Sequence, residues 1–202
     1  MKRCQWSKGL AAMLLFAALF AWVPVMASDK YIIQKDKPFD DARKPAPGKA
    51  LIYFVRSQIM GAAVKVKLYA DGKFLGIVMS HTYIPYECDP GKHEFIAAAE
   101  NAGFLEADLL PDKIYIVQVS IHMGALKART HFETARLGSE ALQEITKVKD
   151  KLHWITTTDE GIAWANEKDA DFQKTIKKFR DKGEEFEEMK PGDGYDAPPW
   201  VK

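Results

Sequence analysis

The residues of this 202-residue chain best suited to chemistry are five histidines, His81, His93, His122, His131 and His153, and two cysteines, Cys4 and Cys88. His131 and Glu133 stand two apart, so on a strand both side chains leave the same face and could reach one ion. Two ligands fall short of the three that hold a catalytic zinc and the four that hold a structural one. His93 and Glu94 are adjacent and would point to opposite faces. The HExxH, CxxC, GxSxG, P-loop and GxGxxG spacings do not occur in the sequence. The 28 acidic residues are plentiful, but paired-carboxylate catalysis also needs a cleft that fixes two of them at a set separation. Lys and Arg alternate with acids, as on solvated faces. The expectation is therefore no catalytic residue, no cofactor and no bound metal: a non-enzyme that acts by binding.

The elements that would carry these residues begin after an address. Met1–Lys8 holds Lys2, Arg3 and Lys8 and no acid, and the uncharged run GLAAMLLFAALFAWV follows from Gly9 to Val23. About 15 apolar residues are fewer than the roughly 20 that span a bilayer core. Pro24 ends the run, and Val25 and Ala27 supply the small residues that precede a signal-peptidase cut. The sequence thus predicts a signal peptide over 1–27, cleaved between Ala27 and Ser28, and a periplasmic or secreted mature chain. Cys4 precedes the apolar run, so no cysteine follows the cut to be acylated, and no permanent membrane anchor is expected. Loss of Lys2, Arg3 and Lys8 turns the formal charge of +1 into one near −2, which argues against nucleic acid as a partner. The mature chain keeps Cys88 alone, which cannot form an internal disulfide and reads as a small buried residue.

Residues 28–48 read as an extended lead-in containing Pro45 and Pro47. From Ala50 the pattern turns to strands. Ala50–Arg56 is almost wholly apolar and suits a strand buried on both faces. In VKVKLYADGKFLGIVM, Asp71-Gly72 is the signal for a two-residue hairpin turn, since both central residues need positive φ. That turn pairs Ala70 with Lys73, Leu68 with Leu75, Val66 with Ile77 and Val64 with Met79, with Lys65 and Lys67 on the other face. Short strands follow at 82–86, where Pro85 implies an edge or bulge, at 93–99 and 103–109, and at 114–121 with Tyr115, Val117, Val119 and Ile121 on one side and Gln118 and Ser120 on the other. A last strand over 126–135 presents Lys127, Arg129, His131 and Glu133. The reading is a domain over 49–136: an antiparallel β-sandwich of about seven or eight short strands. No crossover helix fits between them to make a parallel sheet.

The Ala50–Arg56 strand, the VKVKLYADGKFLGIV hairpin and the DPGKHEF turn-and-strand resemble a family of exported bacterial domains of unknown function. The DGK-x-x-G…PGKH cadence is similar to PEGA-type modules, which are β-sandwich domains of surface layers and carbohydrate-associated proteins. The resemblance covers about residues 48–121. It implies a small exported sandwich and brings no catalytic residues; many members of the family are lipid-anchored, and this chain lacks the cysteine that would carry the lipid.

After Arg136 the period becomes helical, predicting a C-terminal helical segment over 137–190 with two amphipathic helices. Ser139 is the expected N-cap of the first, with Leu142, Ile145, Val148 and Leu152 as its apolar face. Thr157 and Glu160 read as the capping box of the second. Its apolar positions Phe172, Ile176, Phe179 and Phe186 pack inward or form a candidate interaction face, and Gly183 is a candidate stop. Residues 191–202, with Tyr195 and Trp200, read as a flexible tail. The fold class expected is mainly β with C-terminal helices, α+β. Three functions fit it: a non-catalytic envelope module that binds protein or glycan or acts as a scaffold, a ligand carrier with its site between sandwich and helices, and a hydrolase whose residues meet only in three dimensions.

Overall fold

The computed structural model describes residues 32–35, 39, 43–123, 128–182 and 186–200. The signal peptide expected over 1–27 with its Ala27–Ser28 junction, and Gly183, lie outside the described residues. The chain is mainly β with helices toward its C-terminal end, an α+β arrangement. The described strands are β1 (Ile32–Lys35), β2 (Ala50–Arg56), β3 (Val66–Ala70), β4 (Lys73–Val78), β5 (Thr82–Cys88), β6 (Gly91–Ala98), β7 (Ala102–Leu109), β8 (Ile114–Met123), β9 (Ala128–Thr134), β10 (His153–Thr157) and β11 (Phe186–Met189). The helices are α1 (Glu140–Val148), α2 (Asp159–Glu167) and α3 (Asp169–Arg180). None of these helices is long and apolar enough to cross a membrane.

Two sheets form, in the orders β1-β10-β5-β2-β8-β9 and β11-β7-β6-β3-β4. Alternation along each strand decides what each face buries. Ile52 and Phe54 of β2 and Val117, Val119 and Ile121 of β8 meet Val66, Leu68, Phe95 and Leu105 of the second sheet in one buried cluster between the two. The odd positions of β2, Leu51, Tyr53 and Val55, face out and are covered by Ala141, Leu142 and Ile145 of α1. Every residue of β2 is therefore buried, as a doubly covered strand requires. On the outer face of the second sheet, Tyr69, Ile96 and Phe104 are covered by Ile176 of α3.

Several expectations are corrected. The sheets are mixed, because β2 runs parallel to β8, β10 to β5 and β11 to β7. The β2–β8 pair needs no crossover helix: between them the chain visits the second sheet twice, and those strands are the crossover. The Asp71-Gly72 turn forms with both residues at positive φ, 48° and 77°, and Ala70 pairs with Lys73. A bulge then shifts the register, so Leu68 faces Gly76 rather than Leu75, and Val66 faces Val78 rather than Ile77. Val78 consequently joins the core in the place expected for Ile77, while Leu68 and Val66 stay inside and Lys65 stays exposed. The bulge is held from outside the hairpin: Thr157 Oγ1 at the end of β10 donates to the Leu75 carbonyl at 2.6 Å, and a Cβ on Gly76 would stand 2.7 Å from the Thr157 Oγ1.

The segments flanking the central strands also contribute strands. Residues of the lead-in form β1, which pairs with β10, and β10 and β11 arise where only helices were expected. Ser139 caps α1, its side chain accepting from the Leu142 N–H. The second expected helix is two, α2 and α3, separated at Lys168. Its cap is Thr158, which accepts from the Gly161 N–H at 3.0 Å, because Thr157 is used as the last residue of β10. The expected tail is docked: Tyr195 pairs with Ile114 in an isolated bridge, and Trp200 packs 4.7 Å from the Phe39 ring. Both aromatics extend the cluster under α1.

Candidate functional site

A cleft of about 590 Å³ opens where α2 and α3 cross the outer face of the second sheet. Its floor is set by strand parity. Val66, Leu68 and Ala70 point into the core, so Lys67 and Tyr69 must point out, beneath the helices. Its roof comes from Trp164 of α2 and Phe172 and Phe179 of α3. Tyr69 stacks on Phe172 with ring centroids 3.5 Å apart, and Trp164 meets the edge of the hairpin through Phe74. The Lys67 ammonium lies 4.9 Å from the Trp164 ring centre. Burial holds its pKa below that of an ordinary lysine, because leaving water disfavours the charged form. Lys65 and Lys168 add positive charge to the lining, and Glu100 and Asp171 add negative charge. The cleft thus combines apolar ring faces with cationic donors, within the volume range of small-ligand sites.

A second cleft, of about 500 Å³, lies beside the Asp71 turn and is lined chiefly by acids. Several of these already have partners. His93 Nδ1 is 2.7 Å from Asp71, Arg180 holds both oxygens of Glu94 at 2.7 Å, and Lys190 lies 3.6 Å from Glu188.

The histidines fall into separate places. His81 and His153 flank the β5–β10 junction, where the His153 N–H donates to the His81 carbonyl. His93 is tied to the hairpin turn. His131 and Glu133 do share one face, with His131 Nε2 2.8 Å from Glu133 Oε1. The strand pairing adds a third group that sequence reasoning missed. Ser120 lies opposite His131 and Arg129 opposite His122, so His122 comes diagonally beside His131, with ring centroids 4.0 Å apart. One ligand atom from each of His122, His131 and Glu133 lies within 4.8 Å of the others. The signal was present in part: extending the Gln118–Ser120 alternation by two residues puts His122 on that face. Glu133 is held below the usual carboxylate range, first by the bond to His131, against the opposing effect of burial.

Phe172, Ile176 and Phe179 lie on their own sheet, with Ile176 4% exposed. Phe186 is not helical; it begins β11, is half exposed, and stacks on Phe104 at 5.0 Å. Cys88 is buried at the end of β5, and burial pushes its thiol up to about 11. No family model, curated protein or solved structure matches this chain.

Proposed function

We propose that the protein is an exported, non-catalytic binding module of the cell envelope, built as a β-sandwich of PEGA-like type. Its ligand site is the cleft between the second sheet and helices α2 and α3. The observation that carries this reading is the half-buried Lys67 ammonium held against Trp164 at the floor of an aromatic cleft. Ring faces suit the apolar C–H faces of sugars. Lysines at the floor and rim suit carboxylate or phosphate substituents, and burial strengthens each such contact. An acidic glycan matches both requirements; a neutral apolar ligand would leave Lys67 unsatisfied. The tail docking, the two sheets and the inward-packed Ile176 support a rigid scaffold for that site rather than a mobile one.

The test is titration of the purified protein with acidic and neutral oligosaccharides, read by tryptophan emission. Acidic sugars should bind and neutral analogues should bind about tenfold or more weakly, the worth of a charge-assisted hydrogen bond. Lys67→Met should remove that preference. Equal binding of both classes, or binding indifferent to Lys67→Met, contradicts the proposal.

A further inference from the structure

We propose that His122, His131 and Glu133 form a divalent-cation site of the zinc type on the outer face of the first sheet, remote from the cleft. Two imidazoles and one carboxylate are a donor set that zinc accepts, and three protein ligands leave a position for water. The geometry suits one ion. Ligand atoms stand about 2.0–2.2 Å from zinc, so two of them around a tetrahedral ion are roughly 3.3 Å apart. His131 Nε2 and Glu133 Oε1 are already 2.8 Å apart, and all three ligand atoms lie within 4.8 Å of one another. A small widening of the first pair and a rotation of the exposed His122 ring toward it complete the set.

The strand that carries His131 is held in place by its neighbours. Asn101 clamps Thr130, accepting from its N–H at 2.6 Å and donating to its carbonyl at 3.1 Å. Gly103 of β7 packs so closely that a Cβ there would stand 2.8 Å from the His131 Cα. Two of the three ligands are therefore preorganised, as a binding site requires. A second, independent observation points to the same place. Ser120 lies directly across from His131, is fully buried, and its hydroxyl makes no hydrogen bond of good geometry. On the same face it stands diagonally from Glu133, the partner of Gln118 in the β8–β9 register. A buried hydroxyl without a good partner costs stability. Beside a metal-bound carboxylate it has a role, since such ligands are oriented by a hydrogen bond from a neighbour.

Calorimetric titration of Zn²⁺ into chelator-stripped protein tests the site. The expected result is one equivalent bound, with affinity lowered at least 100-fold by His131→Ala and by His122→Ala. Ser120→Ala should cost about tenfold, as an outer-shell loss does. His122 is exposed, so His122→Ala keeps the fold and its melting temperature, and Glu133→Gln keeps the shape of the third ligand. Zinc should also shift the imidazole nitrogen resonances of two histidines only. Absence of saturable binding by the wild-type protein overturns the proposal. Binding undiminished in both His122→Ala and Glu133→Gln overturns it equally, by placing the ion elsewhere.

Discussion

Replacing Ile176 by Ala tests whether α3 is part of the scaffold or a face held for a partner. Ile176 is 4% exposed and sits among Tyr69, Ile96, Ala98, Ala102 and Phe104. Truncating a buried Ile of this kind costs about 2–5 kcal/mol. The other attachments of α3 set a ceiling on what is seen. The Tyr69–Phe172 stack adds about 0.5–1.5 kcal/mol beyond area. The Arg180–Glu94 pair, with both side chains about a third or more exposed, adds about 0–1 kcal/mol. The loss is thus comparable to the whole local anchorage, and α3 undocks before the sheets separate. For a chain of this size 1 kcal/mol shifts the melting temperature by about 2–4 °C, so Ile176→Ala should lower it by roughly 4–20 °C. Amide exchange should accelerate through residues 169–180 while β2 and β8 keep their protection. Ile176→Asp should undock the helix entirely, since it places an unpaired charge against Phe104. A melting temperature within about 1 °C of wild type, together with lost self-association or partner binding, would refute the inward packing and make the stripe an interface.

Three further outcomes are expected. Cys88, buried and with its thiol pushed up to about 11, should resist a disulfide reagent at pH 8 until the protein unfolds; because its folded pKa is raised, its contribution to stability is intact below about pH 9 and is lost as pH rises toward 11. Arg136→Ala should loosen the docked C-terminal segment, because Arg136 joins Asp193 at 2.9 Å, Glu187 at 3.1 Å and the Glu188 carbonyl at 2.8 Å, and limited proteolysis should then cut after residue 180 sooner than in wild type. N-terminal sequencing of exported protein should begin at Ser28; a chain that begins at Met1 and sediments with membranes would contradict the signal reading.

The central strands were legible because turn chemistry and period-2 alternation are local. Asp71-Gly72 fixed a turn, and Tyr115, Val117, Val119 and Ile121 marked an inner face without any knowledge of partners. What escaped is what depends on remote chain. The bulge that moves Val78 into the core is held by a hydrogen bond from Thr157, 82 positions from Leu75. The parallel β2–β8 pair joins segments separated by four strands of the second sheet and by β5. β11 contains Phe186-Glu187-Glu188-Met189, a charged stretch with no strand signature, and is held by the edge of β7 and by Arg136. Tyr195 and Trp200 looked like tail residues because nothing near them in sequence shows the cluster under α1 that receives them. The candidate sites divide in the same way. His131 and Glu133 were visible as a pair, whereas His122 joins them only through the β8–β9 register. The cleft floor was implied by Lys67 pointing to the face away from Leu68, but its roof required α3 to fold back over the hairpin.

The most direct measurement of the binding account is a chemical-shift titration of the Trp164 indole and the Lys67 ammonium with an acidic oligosaccharide. Saturable shifts are expected at both, in parallel, with the amides of β3 and of α3 near Phe172 following and those of β8 and β9 unmoved. Shifts confined to other surfaces, or none at saturating sugar, would contradict it.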